Sequence, residues 1–380
     1  MRRRVLSLLL ILSMVLPLCT QAQAADNNMI YANATSEKVS LETNVSACIN
    51  DMIEGFYSGL QGEYVIGEPI PIYNADVKSI YYIIPVLCNQ QCVGTIEVDT
   101  SGNAVLSDDV SLYNAVSEIT SAEHLLYTTG GVTYAEIPSE RIKLYECDFV
   151  VLKNDSFLLN TYLSKKEEIS LKSEQARKCI DISAVVMQSK IINVTENNTR
   201  GVTPTVVYEQ CAIEDFVGQG VRTICWAACT ATIVNYKKNL ELTAEEISEA
   251  MGHDNTNIFG NLGEYADGII EALAMYNVSY RTTNGKLSWA NVKSNINNDD
   301  PFIIGMTGYY VNNSTLADGY SSHVYVGYGY QHKNGDSAVD ADLRYVQAWD
   351  PGGHHVAFQH NASSYSRNGY PWTWEKTIID

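Results

Sequence analysis

Gln219-Gly220-Val221-Arg222-Thr223-Ile224-Cys225-Trp226-Ala227 is the stretch on which the reading of this chain turns. A glycine-containing run without periodicity passes into Cys225–Lys238, where Cys229, Ile233 and Tyr236 recur at inward helical spacing. Cys225 therefore stands where a loop enters a helix. That end of a helix carries partial positive charge, which favours a thiolate, the reactive form of the side chain. A lone cysteine is more often a core residue, and Cys-Trp by itself would not overturn that. Cys229, one turn further on, reads as packing.

Around this helix the chain from 206 onward reads as one α+β unit. Thr243-Ala244-Glu245-Glu246 is a capping box that starts a second helix. Glu264–Tyr276 and Trp289–Ile296 are a third and a fourth. The period then becomes two, in Pro301–Met306, His323–Tyr328 and Tyr345–Trp349. Helices first and an antiparallel sheet second predict segregated halves. His323 opens the run His-Val-Tyr-Val-Gly-Tyr-Gly, at one end of its strand. Asp350 ends another strand, before Pro351-Gly352. A carboxylate there can fix the tautomer of an imidazole, although a turn role is the commoner one for aspartate before Pro-Gly. His354 and His355 are rival bases in a Gly-Gly loop and rank below His323. His124, His253, His332 and His360 read as surface residues, and polar Gln331–Asp342 as a surface hairpin insertion.

These motifs resemble the papain-like cysteine peptidases, whose nucleophile segment reads Gln-Gly, a four-residue gap, then Cys-Trp-Ala, as it does here. The family's histidine opens an apolar strand ending in Gly-Tyr-Gly. The resemblance runs over roughly 206–380 in the order and spacing of elements, with close letter matches confined to the short motifs. The secreted bacterial staphopain-type enzymes and the bacteriocin-leader peptidases are nearest in compactness. The resemblance implies Cys225 as nucleophile, His323 as its base and Asp350 as the group orienting the histidine. It also implies an oxyanion hole made by Gln219 and the Cys225 backbone N–H. It calls for no metal and no cofactor. Aspartate before proline follows the bacteriocin-leader pattern, where papain has asparagine. Arg222 stands where papain-type enzymes usually carry a disulfide cysteine, so that bridge is absent. Thr223 and Ile224 replace small residues of the cleft floor.

The remainder of the chain reads as export and processing. Arg2, Arg3 and Arg4 precede the apolar run Leu8–Leu18, which is too short to span a bilayer. Ala22-Gln23-Ala24 supplies a small-x-small cleavage pattern. Residues 1–24 are therefore a predicted signal peptide. Lipidation of Cys19 is not expected, because Leu18 before it is too large. Residues 25–200 are a predicted α+β prodomain or accessory domain. Its expected elements are a helix within Leu41–Leu60 with Ile49, Met52, Ile53 and Phe56 on one face, and strands at Tyr81–Leu87, Val93–Val98, Val132–Ile137 and Phe149–Leu152. Polar residues from 193 to 205 read as an exposed linker, with Arg200-Gly201 an attractive bond for processing. Residues 201–380 are the predicted papain-like catalytic domain.

A formal charge of −19 argues against nucleic acid as a partner. Nine cysteines in 380 residues form no dense framework. Cys88 and Cys92 flank Asn89-Gln90-Gln91 and are a disulfide candidate across a hairpin. Neither CxxxC spacing has companion histidines at zinc distances, and Asp254–Asn257 and Asp336–Asp342 lack the spacing of a calcium loop. The expectation is a secreted, extracellular cysteine endopeptidase made as a zymogen. Its partners are a protein or peptide substrate, with room for a dedicated inhibitor. It is expected to be monomeric and without a membrane contact after signal cleavage. Two competing readings are an amidase or transamidase acting on cell-wall or protein amides, and a non-catalytic binding protein with a degenerate peptidase domain.

Overall fold

Runs of β-branched and aromatic residues dictate most of the architecture. The computed structural model describes residues 43–57, 60, 62–117, 119, 125–137, 140–146, 192–194, 206–253, 262–311, 318–333 and 344–380. The expected signal segment, the strand at 149–152, the Arg200-Gly201 bond, His124 and the acidic stretches 254–257 and 336–342 lie outside the described residues.

The first part opens with α1 (Thr43–Phe56), which buries Ile49, Met52 and Ile53 at helical spacing. There follow β1 (Gly62–Ile66), β2 (Ile70–Asn74), β3 (Ser79–Cys88), β4 (Gln91–Asp99), β5 (Ala104–Ser107), α2 (Ser111–Ser117), β6 (Leu125–Thr129), β7 (Val132–Ile137), β8 (Glu140–Glu146) and β9 (Ile192–Val194). Asn89 and Gln90 join β3 to β4 with φ of 51° and 66°, as a two-residue hairpin of mirror-image type demands. Its register sets Leu87 opposite Cys92 and Cys88 opposite Gln91. Cys88 and Cys92 thus leave opposite faces, and both thiols are free. The disulfide expected across this turn is not formed. Asn193 and Val194, expected in the linker, pair instead with Glu63 and Gly62 of β1.

The second part runs β10 (Val206–Gln210), α3 (Cys225–Lys238), α4 (Ala244–Ala250), α5 (Leu262–Met275), β11 (Arg281–Asn284), α6 (Trp289–Asn297), β12 (Phe302–Val311), β13 (Asp318–Lys333), β14 (Arg344–Asp350), β15 (His354–Gln359), β16 (Tyr365–Arg367) and β17 (Tyr370–Ile379). The capping box before α4 forms as expected, with Thr243 and Glu246 exchanging hydrogen bonds. An antiparallel sheet runs β11–β17–β12–β13–β14–β15. Alternate residues of its strands face opposite ways. Ile303, Val324 and Val326 pack on α3 and α5 with Trp226, Ile233, Ile269 and Leu273. Phe302, Ile304 and Tyr325 face α6, Trp372 and Trp374. This is the α+β arrangement of a helical half and an antiparallel sheet half.

The two parts share one hydrogen-bonded sheet. β5 adds to the edge of β15, with Val356, Ala357 and Phe358 opposite Ser107, Leu106 and Val105. Tyr345 and Ala357 join the core of the first part. Two buried glutamines of the second part reach α1. Gln331 Nε2 donates to the carbonyls of Asp51 and Met52 at 3.0 and 3.1 Å, and Gln347 Nε2 to that of Gly55 at 3.3 Å. Gln331 and His332, expected at the start of a surface insertion, are therefore buried in β13. His332 lies between the rings of Trp289 and Tyr330. His360, also expected at the surface, is half-buried and bonded to the Leu287 carbonyl.

Candidate active site

The helix that opens with Cys225 is built to leave its positive end open. Its N-cap, Ile224, gives no side-chain hydrogen bond, and no acidic residue stands in the first turn. The first amides of a helix have no intrahelical acceptor, so they and the helix dipole are available to an anion at Cys225. At the other end, Asn239 turns left-handed with φ 52°, and Lys237 and Lys238 meet the negative pole. Residues Cys225 to Val234 are all buried.

One turn along α3, Cys229 Sγ contacts the carbonyl of Val324 at 3.5 Å. That contact lays the start of α3 against β13, where Val324 follows His323. Residues four apart share a helix face, so Cys225 and His323 lie at the same end of this packing. Burial depresses the His323 pKa, but Asp350 and then Cys225 outweigh that and raise it to about 9.

His323 Nε2 lies 2.9 Å from Asp350 Oδ1, which leaves Nδ1 for the sulfur. The same carboxylate oxygen accepts the Gly352 N–H at 2.9 Å. Asp350 thus makes the aspartate turn that Pro351-Gly352 suggested and meets the imidazole as well. Its second oxygen pairs with Arg367 Nη2 at 3.0 Å. Burial would raise the Asp350 pKa, but Arg367, His323 and the hydrogen bonds prevail and hold it well below the usual carboxylate range. The imidazole is packed edge-on against Tyr325, with ring centres 4.7 Å apart.

The backbone of Gln219 is held next to the end of β14 by a pinned loop. Its N–H donates to the Pro351 carbonyl at 2.7 Å. Two residues earlier, the Val217 carbonyl accepts from Trp349 Nε1 at 3.1 Å, and the Val217 N–H donates to Thr232 of α3. Phe216 stacks on Trp349 at 5.1 Å. Gly220 turns with φ +61°, which suits glycine. One loop therefore ties α3 to the end of β14. Cys225, His323, Asp350 and Gln219 are 4, 5, 5 and 7% exposed, so water screens little of the His323–Asp350 attraction.

The rival histidines are engaged elsewhere. His355 Nδ1 lies 2.8 Å from Tyr328 Oη, and its ring packs against Phe216 and Trp349. His354 faces Asp108 and Asp109 at 3.5 and 3.8 Å. Cys229 is fully buried, as its packing role requires, and burial pushes its thiol far up.

Arg367 is the member of the group that sequence reasoning missed. It comes from the short strand β16, and Ser366-Arg367-Asn368-Gly369 signals a turn and nothing more. A cavity of about 90 Å³ adjoins Asp350 and Arg367, with Glu97, Ser107, Tyr325 and Trp372 among its walls. Among the described residues no group of histidines, cysteines or carboxylates has the grouping of a metal site. None of the described helices is long and apolar enough to cross a membrane.

Residues 205–377 match the model of the Peptidase_C39 like family. No curated protein matches the chain.

Proposed function

With residues 205–377 matching the Peptidase_C39 like family, which supports a papain-like cysteine peptidase, we propose that this chain is a secreted endopeptidase precursor acting through Cys225, His323, Asp350 and Gln219. The observation that carries the reading is the buried His323–Asp350 pair beside the open N-terminal end of α3. The Cys225 thiolate attacks a peptide carbonyl. Gln219 and the Cys225 N–H donate to the oxyanion, and loss of one such donor typically costs about 10²–10³ in rate. His323 gives its proton to the departing amine as the C–N bond breaks. It then takes a proton from the water that hydrolyses the thioester, releasing the acid and restoring the thiol. Asp350 holds the ring throughout.

A 4% exposed nucleophile supports the precursor reading, since a substrate carbonyl must reach the sulfur. Residues 1–24 are the export signal, and cleavage within 195–205 activates the enzyme. Casein is incubated with purified protein, alone and after limited trypsin treatment, beside the Cys225→Ala variant. Cleavage by wild type and none by the variant is expected. Equal cleavage by both rejects the proposal. Release of peptidoglycan fragments in place of casein cleavage supports the amidase reading.

A further inference from the structure

The peptidase reading leaves open what the first part of the chain does for the site. We propose that Arg367 is a positioning residue for the His323–Asp350 pair, and that the N-terminal region holds Arg367 in place through Glu97. This rests on the peptidase reading given above.

The contacts form a continuous chain. Asn368 and Gly369 make the two-residue turn between β16 and β17, with φ of 51° and 76°. Its tip enters a socket built by the N-terminal strands. Glu97 of β4 accepts the Ser366 hydroxyl, the Asn368 N–H at 2.8 Å and the Gly369 N–H at 2.8 Å. Asn74 of β2 donates to the Asn368 carbonyl at 3.2 Å, and the Tyr370 hydroxyl to Asp76 at 2.7 Å. A Cβ on Gly369 would lie 2.5 Å from the Tyr81 ring, so the fit allows no side chain there.

A half-buried carboxylate such as Glu97 is costly unless several donors meet it. Those donors are the two backbone amides and the hydroxyl that flank Arg367. Burial raises the Glu97 pKa, and the Ser366 hydroxyl, the two amides and the charge of Arg367 oppose that rise. Arg367 leaves this clamp toward the site. One arm of its guanidinium donates to Tyr325 Oη at 2.9 Å, and the other pairs with Asp350 at 3.0 Å. The ring of the same tyrosine packs on His323. Two of the groups that fix the imidazole, Asp350 and Tyr325, are thus set by one arginine, and that arginine's hairpin is held by the other half of the chain. The N-terminal region is on this account a working part of the catalytic unit.

The test uses the whole protein after cleavage within 195–205, with both fragments retained, as wild type, Arg367→Met, Arg367→Lys and Glu97→Gln. kcat and KM are measured on casein, and Cys225 alkylation by iodoacetamide is followed against pH by mass spectrometry. Arg367→Met should lower kcat roughly 10–100-fold, the range for groups that orient a catalytic ligand, with KM little changed. Arg367 lowers the His323 pKa, so loss of its positive charge should move the alkaline limb of the profile to higher pH. Arg367→Lys should recover part of both effects. Glu97→Gln should shift kcat and profile in the same direction by less. If Glu97→Gln does not fold, Ser366→Ala, which removes one of its donors, decides the same point. Wild-type kcat and an unmoved alkaline limb in Arg367→Met, or in the Glu97 or Ser366 variant, overturn the proposal. A wild-type protein that neither cleaves casein nor alkylates selectively at Cys225 rejects the peptidase reading instead.

Discussion

His323 Nε2 and Asp350 Oδ1 stand 2.9 Å apart, each about 5% exposed, on the neighbouring strands β13 and β14, which pair with Val326 opposite Trp349. An imidazole this deep would ordinarily be neutral. Asp350, kept ionised by Arg367, reverses that.

The pH dependence follows with a definite sign. The His323 pKa is raised to about 9, above an unfolded value of about 6.5. Its contribution to stability is complete below the unfolded value and is lost as pH rises through about 9. Asp350 is depressed, so its contribution is present above its unfolded value and is lost as pH falls through the lower folded one. kcat/KM against pH should therefore show an alkaline limb near 9. Asp350→Asn should move that limb downward, because the charge that raises the histidine is gone. A limb unchanged in Asp350→Asn would contradict the pairing.

Removing the Asp350 side chain outright has a different expected result. Asp350→Ala removes the carboxylate that meets both buried His323 and partly buried Arg367, a change that typically costs about 3–5 kcal/mol. Urea unfolding should show this loss, and Asp350→Ala with Arg367→Met should recover part of it. Additive losses in the double variant would argue against the ion pair.

Gln219→Ala should lower kcat by about 10²–10³ with KM little changed, as expected for a donor that meets only the developing oxyanion. The pinning of its loop is by backbone and Trp349, so the thermal midpoint should stay near that of the wild type. A comparable loss in KM would place Gln219 in ground-state binding.

The join between the two parts is testable through stability. Gln347→Leu leaves the Gly55 carbonyl and Gln331 Oε1 without a donor they now have, at a cost of about 1–3 kcal/mol by denaturant titration. After cleavage within 195–205, the two fragments should still elute together by size exclusion, because β5 remains paired with β15. Separation on cleavage alone would show that the first part is released as a free propeptide.

The helices of the second part were legible because their signals are local. The capping box at Thr243 and the Cys225–Lys238 periodicity gave boundaries that the structure repeats. The strands that carry His323 and Asp350 were visible by their alternation. What joined the halves was not visible. Gln331, Gln347 and Glu97 look like solvent-facing polar residues in a one-dimensional reading, yet Gln331 and Gln347 are buried and all three meet partners some 270 to 290 positions away. Arg367 was missed because its partners, Asp350 and Tyr325, come from two other strands that only the folded sheet brings to it. The Cys88/Cys92 pairing failed on register, since a two-residue turn throws the cysteines out of step.

The most direct measurement of the central claim is the site and rate of thiol alkylation at mildly acidic pH, in wild type and His323→Ala. Burial raises the thiols of Cys211 and Cys229, so they should remain unmodified while Cys225 reacts. That reaction should collapse in His323→Ala, because the imidazolium sustains the thiolate. Equal labelling of Cys225 in both proteins, or labelling spread over the other cysteines, would contradict a thiolate–imidazolium pair at this site.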